Sequence, residues 1–412
     1  MERYDLLYRL YEGFPADTLR AYQDLVDLFP PVDSRVALEH WQRASEELDR
    51  RKSEIRAAFD EGEVYAEIAA HATRQQAFTA LDLHSKYDRP ANVLVLDVDE
   101  TLRSAGNTDN EIPRETLSLL TEFHEDGVPI VICTGQTLEN VKGFMIQGLG
   151  SELVHSGELS IVYEAGTGVF TPGHAADTKH LLYEDLDDEI VSVFDHVRSR
   201  VLREAPDDLR RNCHLQGNEF NVTMKPNFEI GSEDAVGIID EALVYEIDLL
   251  GEAVAEVTGE ESDATSEYAR SFYAAADPEI HDVLESVDSV PDPGEAPDAV
   301  ETFFERIDVA YYEGDAAEIG SLELNKVVGV EAALDVLGIT DPFALVMGDS
   351  KSDLRVMEWV AENDSGLGAA PEHASADVLA FVRETDELVF DRGRAADMLR
   401  TIYALNRLAA LD

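Results

Sequence analysis

Lysine is scarce in this sequence: there are seven in 412 residues, and all lysines and arginines together number 32 against 86 aspartates and glutamates. The net charge of -54 excludes a basic face for nucleic acid or anionic membrane, so neither is an expected partner. Cysteine is scarcer still. Cys133 and Cys213 stand alone in strand-like contexts, which leaves no disulfide framework and no thiolate metal knuckle. No run reaches the roughly 18 apolar residues of a transmembrane helix, and the opening "MERYDLLYRL" lacks a signal-peptide layout. A cytoplasmic protein is expected. What is present is an ordinary apolar share, 44%, and length for about two or three domains, each with its own core.

The acidic excess runs the whole length instead of forming a tail. It resembles the carboxylate surfaces of proteins from salt-accumulating halophiles, which stay soluble when salt shortens the Debye length to roughly 3 Å at 1 M. An ordinary acidic protein is the alternative. Residues 1–88 read as a helical region, with "FPP" at 29–31 as the clearest break. Trp41, Ala44, Leu48, Ile55 and Phe59 recur at helical spacing and make one apolar stripe, which packs either on the rest of the chain or on a second copy. A homo-oligomer through these helices is therefore open. His71 and His84 lie thirteen residues apart with no companion ligand, which argues against a metal there.

From residue 92 the pattern changes to short apolar runs alternating with amphipathic helices. "NVLVLDV", "VPIVICTG", "SIVYEAG" and "PFALVMGD" read as buried strands, with "PRETLSLLTEFHEDG" and "NKVVGVEAALDVLGI" as helices between them. The fold class is α/β, a parallel sheet covered by helices, and ligands of such sheets sit beyond the carboxyl ends of the strands. Between about 170 and 320 the rhythm is lost. That stretch reads as a second α+β domain inserted into the first, with a mobile acidic loop near 258–298 and the densest turn-formers in "SVPDPGEAPDAV".

Four strand ends carry chemistry. Asp97 and Asp99 close an apolar strand, where two unpartnered carboxylates would cost several kcal/mol, so a cation or another compensating group is expected. The paired acids of "YEDLDDEI" follow no such strand and read as a solvated turn or helix start. A second strand ends at Asp349, with Asp353 four residues on, a spacing that shares one helical face. Such hard oxygen ligands suit Mg²⁺ better than Zn²⁺, while Asp349 or Ser350 as a plain helix cap is the alternative. "VICTGQT" ends in Thr134 and Gly135 before a helix, offering a hydroxyl and free N–H groups to an anion, or a simple cap. Lys326, at a strand-to-helix junction, is either a point charge placed for chemistry or a surface lysine.

In order and context, "DVDET" with Asp97 and Asp99, then Thr134-Gly135, Lys326, and "GDS" with Asp349 and Asp353 resemble the four motifs of the haloacid dehalogenase-like phosphohydrolases, over 90–172 and 318–400. Only about ten residues separate Asp99 from the next helix, but some 190 separate Thr134 from Lys326. That spacing resembles the subgroup with a large C2-type cap after the second motif, which includes sugar-phosphate, phosphoglycolate and sucrose-phosphate phosphatases and some phosphomutases. "VYEAGTGVF", with Glu164 and Gly166, is similar to that subgroup's junction into the cap. Two positions depart from the pattern: Glu100 stands where many members have glycine, and Gln136 where the capped subgroup often has arginine.

The resemblance implies a Rossmann-like core at 89–172 and 318–412, a cap at 173–317, and a small phosphorylated metabolite as substrate. It implies Asp97 as nucleophile, Asp99 as acid and base, and Thr134, Gly135 and Lys326 on the phosphoryl oxygens, with Thr101 counted among the binding residues. Mg²⁺ is implied on Asp97, the Asp99 carbonyl, Asp349 and, directly or through water, Asp353. A phosphomutase, and a silent binding or scaffold protein using the helical region, are the rival readings. In the cap, "EFNVTMKPN" alternates Phe220, Val222 and Met224 with Asn221, Thr223 and Lys225. Its polar face either points at the core, where Asn221 and Lys225 would donate to a sugar hydroxyl or a carboxylate, or lies in solvent.

Overall fold

A computed structural model of the chain describes residues 2–29, 35–103, 111–175, 178–287, 289–291 and 296–411. The predicted break at 29–31 and the turn-rich stretch at 289–300 fall partly outside these residues. The large sheet has eight strands: β1 (Val93–Leu96), β2 (Ile130–Cys133), β3 (Leu159–Tyr163), β4 (Gly168–Phe170), β5 (Lys179–Leu181), β10 (Ala344–Met347), β11 (Gly366–Pro371) and β12 (Leu388–Phe390). Their order is β12-β11-β10-β1-β2-β3-β4-β5. The six from β12 to β3 run parallel, and β4 and β5 add antiparallel at one edge. β1, β2 and β10 are four-residue strands with every residue buried, as expected where helices cover both faces of a parallel sheet. The sheet runs on to Leu181, past the boundary expected at 172, because β4 and β5 extend its edge as a hairpin.

Register decides what meets at the carboxyl edge of the parallel strands. Leu96 lies level with Met347 on one side and Ile132 on the other. The next residues of those three strands, Asp97, Gly348 and Cys133, are therefore side by side, followed closely by Asp349 and Thr134. The expectation of convergent strand ends is met by the pairing itself.

Five helices, Glu2–Gly13, Ala16–Leu28, Arg35–Arg56, Gly62–His71 and Arg74–Tyr87, form the N-terminal region and pack on Arg114–Glu125 and on the C-terminal helix Ala395–Ala409. Ala44, Leu48, Ile55 and Phe59 are buried within this chain, against neighbouring N-terminal helices.

The small sheet is antiparallel: β6 (Cys213–Leu215), β7 (Val222–Pro226), β8 (Ile307–Tyr312) and β9 (Ala316–Ser321), in the order β6-β7-β9-β8. Helix Ser232–Thr258 covers one of its faces. The acidic stretch expected as a mobile loop near 258–298 is instead largely helical, as Ser262–Ala276 and Pro278–Ser286. Glu261 and Asp277 cap these helices, accepting from Ala264 N at 2.9 Å and Glu279 N at 2.7 Å, and Pro278 fills a first-turn position. Ala269, Tyr273, Ile280 and Leu284 form the buried faces. Acidic residues on the outer faces hid this periodicity in the composition.

Candidate active site

Lys326 is the first residue of helix Lys326–Leu337, whose cap, Asn325, accepts from Val327 N at 2.9 Å. Its ammonium is 4% exposed and donates to Asp97 Oδ1 at 2.9 Å and Asp353 Oδ1 at 2.6 Å. Burial opposes that charge, but Asp353 and Asp97 outweigh it and hold the lysine protonated well past its usual range. Burial likewise raises the Asp97 carboxyl, with Lys326 opposing and Asp353 and Asp349 adding to the rise. Three carboxylates share one ammonium. Asp349 is pushed up to about 6 by burial and by Asp353.

Asp97, Asp349 and Asp353 each place an oxygen within 4.8 Å of the others, an all-carboxylate set in negative excess that fits a hard divalent cation. Asp353 also accepts from Ser350 N at 3.1 Å and Ser350 Oγ at 2.6 Å, so both of its oxygens are engaged. The alternative of a helix cap is thus present as well: Ser350 and Asp353 form a capping box within the site. Gly348 makes room for it. A Cβ there would lie 2.2 Å from the Asp353 Cβ.

Asp99 stands apart from this cluster. Its side chain is half exposed, Oδ1 accepts from Arg103 Nε at 2.9 Å and from a second Arg103 nitrogen at 2.8 Å, and Oδ2 accepts from Gln136 Nε2. Sequence reasoning missed Arg103, and the departure at Gln136 proves to touch the proposed acid directly. Glu100 holds a left-handed backbone, φ 56°, which costs a non-glycine residue about 1–2 kcal/mol. Its carboxylate accepts from Arg392 at 2.9 Å, and His373 Nε2 lies 3.1 Å away. Thr101 is buried and its hydroxyl has no hydrogen-bond partner among the described residues. Thr134 is buried, its hydroxyl accepting from Gln136 N at 3.2 Å, and Gly135 beside it faces open space.

Glu164 ties this edge to the small sheet. Its backbone N–H donates to the Gln136 carbonyl at 2.9 Å, and that of Ala165 to the Thr134 carbonyl at 3.0 Å. Its buried carboxylate accepts from Glu219 N at 2.6 Å and Phe220 N at 3.2 Å, and its carbonyl from Asn221 Nδ2 at 3.5 Å. Asn221 is therefore near the catalytic edge. Lys225 is bound to Asp315 at 3.1 Å. Glu318 on β9 was missed: it accepts the Thr223 hydroxyl at 2.5 Å, and a single acid among 86 carries no signal of its own.

Residues 94–195 match the family model described as haloacid dehalogenase-like hydrolase. Over that segment the chain is similar to the haloacid dehalogenase-like hydrolases. The matched segment includes Asp97, Asp99, Thr134 and Glu164, while Lys326, Asp349 and Asp353 lie beyond it. No curated protein matches the sequence. Among solved structures, it is similar to a haloacid dehalogenase-like hydrolase from Bacteroides thetaiotaomicron, with 14% identity, TM-score 0.41, and coverage of 76% of this chain and 98% of that one. It is similar also to trehalose-6-phosphate phosphatase of Aspergillus fumigatus, with 16% identity, TM-score 0.40, and coverage of 79% and 97%.

Elsewhere, His281, Asp282 and Glu285 cluster on a mostly exposed helix face, and an apolar cavity of about 400 Å³ lies between Leu25, Leu28, Phe29, Ala37 and Trp41. Neither adjoins the carboxylates. Among the described residues no helix is long and apolar enough to cross a membrane.

Proposed function

We propose that this protein is a cytoplasmic, Mg²⁺-dependent phosphomonoesterase that acts on a small phosphorylated metabolite through an aspartyl-phosphate. The observation that carries the reading is the buried Asp97 carboxylate, held by Lys326 at a strand end beside Asp349 and Asp353. An Asp97 oxygen attacks phosphorus and the ester oxygen departs, taking a proton from Asp99. Asp99 then removes a proton from water, whose oxygen attacks the phosphorus of the acyl phosphate. Phosphate leaves, and the Asp97 carboxylate is restored. Lys326, Thr134 and the Gly135 N–H hold the phosphoryl oxygens throughout.

Mg²⁺ on Asp97, the Asp99 carbonyl, Asp349 and, directly or through water, Asp353 would neutralise charge between nucleophile and phosphoryl group. Arg103 on Oδ1 and Gln136 on Oδ2 both donate to the ionised form of Asp99, so loosening one of these bonds would help it carry the proton for the first transfer. The region 173–317 is proposed as a C2-type cap that closes over this edge, with Asn221 and Lys225 among its binding residues.

The test is Mg²⁺-dependent phosphate release from a panel of phosphorylated metabolites. Activity is expected on at least one, with loss in EDTA and in Asp97→Asn. An Asp97→Asn protein that kept a tenth of the wild-type rate would remove the nucleophile assignment.

A further inference from the structure

The N-terminal helices enclose an apolar space that the proposed active site does not use. Helix Ala16–Leu28 contributes Leu25 and Leu28, Phe29 follows it, and helix Arg35–Arg56 contributes Ala37 and Trp41, around a cavity of about 400 Å³. That volume falls within the range of small-molecule sites, and the lining suits an alkyl chain. Trp41 is fixed there, its indole N–H donating to the Val26 carbonyl at 3.3 Å. Phe29 is 57% exposed, so large apolar surface is left open at this point.

The third wall carries the opposite chemistry. Arg114 lines this cavity and is the first residue of helix Arg114–Glu125. A cation is disfavoured at that position, because the helix dipole already places positive charge there. Pro113 precedes it and no side chain caps the helix, so the first-turn N–H groups are left without a capping acceptor. In a chain of 86 acids, Arg114 nonetheless has no ion pair or hydrogen bond among the described residues. The acids around it are turned elsewhere. Glu115 accepts from Arg400 at 3.0 Å, and Glu39 from Arg35 at 3.2 Å. Asp27, which accepts from Gln23 at 2.8 Å, and Glu122 line an adjoining cleft and not this cavity. His40 adds an imidazole to the same wall as Trp41.

We propose that this cavity binds an aliphatic carboxylate, with its chain against Trp41 and its head on Arg114 at the uncapped helix start. The guanidinium offers a carboxylate parallel N–H donors, and the first-turn N–H groups and the dipole favour the same charge. Charge complementarity selects this occupant. A neutral apolar ligand would leave Arg114 unanswered, and an amphiphilic cation would meet it as a like charge. The site is remote from Asp97, so the inference is independent of the phosphomonoesterase reading.

Trp41 reports on its own cavity. The chain has two tryptophans, and Trp359→Phe in the full-length protein leaves Trp41 as the single fluorophore of its kind. Decanoate, decanol and decyltrimethylammonium are titrated into it at about pH 8 in about 0.5 M KCl, where the carboxylate is ionised and the general field of the acidic surface is largely screened. Decanoate is expected to give a saturable change in Trp41 emission and to bind about tenfold or more tightly than the ammonium, against the sign of the net charge of -54. Arg114→Met keeps the aliphatic stem and breaks no bond among the described residues, so Tm should hold. It is expected to weaken decanoate by about tenfold or more and to leave decanol within about twofold. No saturable change with decanoate, equal or tighter binding of the ammonium, or a decanoate affinity that Arg114→Met does not move would overturn the proposal. Trp41 emission that follows protein concentration and not decanoate would give the cavity to a second copy, and would overturn it too.

Discussion

Among the buried cations, Arg400 and Lys326 differ in how their charge is answered. Arg400, on the C-terminal helix, donates to Asp24 at 2.6 Å, Glu115 at 3.0 Å and the His71 carbonyl at 2.6 Å, tying the N-terminal helices to the core. Each guanidinium nitrogen there has an acceptor. Lys326 faces Asp97 and Asp353 with Asp349 behind them, and the carboxylates outnumber it. A structural ion cluster satisfies itself. A cluster that stays in negative excess at a strand end can take a cation, and that imbalance, more than burial, is what the proposed active site rests on.

Opposite substitutions should break the pair apart. Asp97→Asn is expected to lower turnover by more than about a thousandfold, and in EDTA to raise Tm, because it removes a carboxyl whose charged form burial disfavours. Arg400→Met is expected to spare kcat while lowering stability by about 2–3 kcal/mol, toward the low side for a broken buried pair because Asp24 and Glu115 retain water contact. Thermal melts and steady-state rates on both variants check this. A fall in Tm for Asp97→Asn in EDTA would mean that the lysine cluster is as self-sufficient as the arginine one.

Salt sharpens the contrast. The net charge of -54 repels itself over about 10 Å at 0.1 M salt, so molar KCl should raise the wild-type Tm by several degrees. The buried clusters are screened far less, and the gaps between wild type and the two variants should survive. A Tm flat from about 0.1 to 2 M KCl would refute the halophilic reading of the composition.

Another buried acid gives the smallest effect. Glu246 is 0% exposed beneath the small sheet, with no side-chain hydrogen-bond partner among the described residues. Burial, then the Glu318 charge, raises its carboxyl well above the ordinary 4.5. The folded state therefore favours the protonated form. Its contribution is whole below the unfolded value and declines as pH rises toward the folded one. Glu246→Gln should thus raise Tm by a few degrees at about pH 8 and by less at about pH 5. A gain independent of pH would show that this acid does not titrate between the two states.

Asp97, Thr134, Lys326, Asp349 and Asp353 were legible in the sequence because each follows an apolar strand or opens a helix, and parallel pairing carries such positions to one edge. Arg103, Gln136 and Glu318 were not legible in their roles. Their importance comes from which side chain they touch, and no local period encodes that contact. The helices Ser262–Ala276 and Pro278–Ser286 were missed because surface charge masked a regular apolar spacing, although Glu261, Asp277 and Pro278 were ordinary start signals.

The most direct test of the central claim is acid-quench trapping of the phosphoenzyme in an Asp99→Asn protein given labelled substrate and Mg²⁺. Loss of the base should slow the second step more than the first. About one equivalent of acid-stable, base-labile phosphate is expected on the peptide carrying Asp97. Turnover by the wild type with no trapped label in the variant, or with label on another residue, would contradict the account.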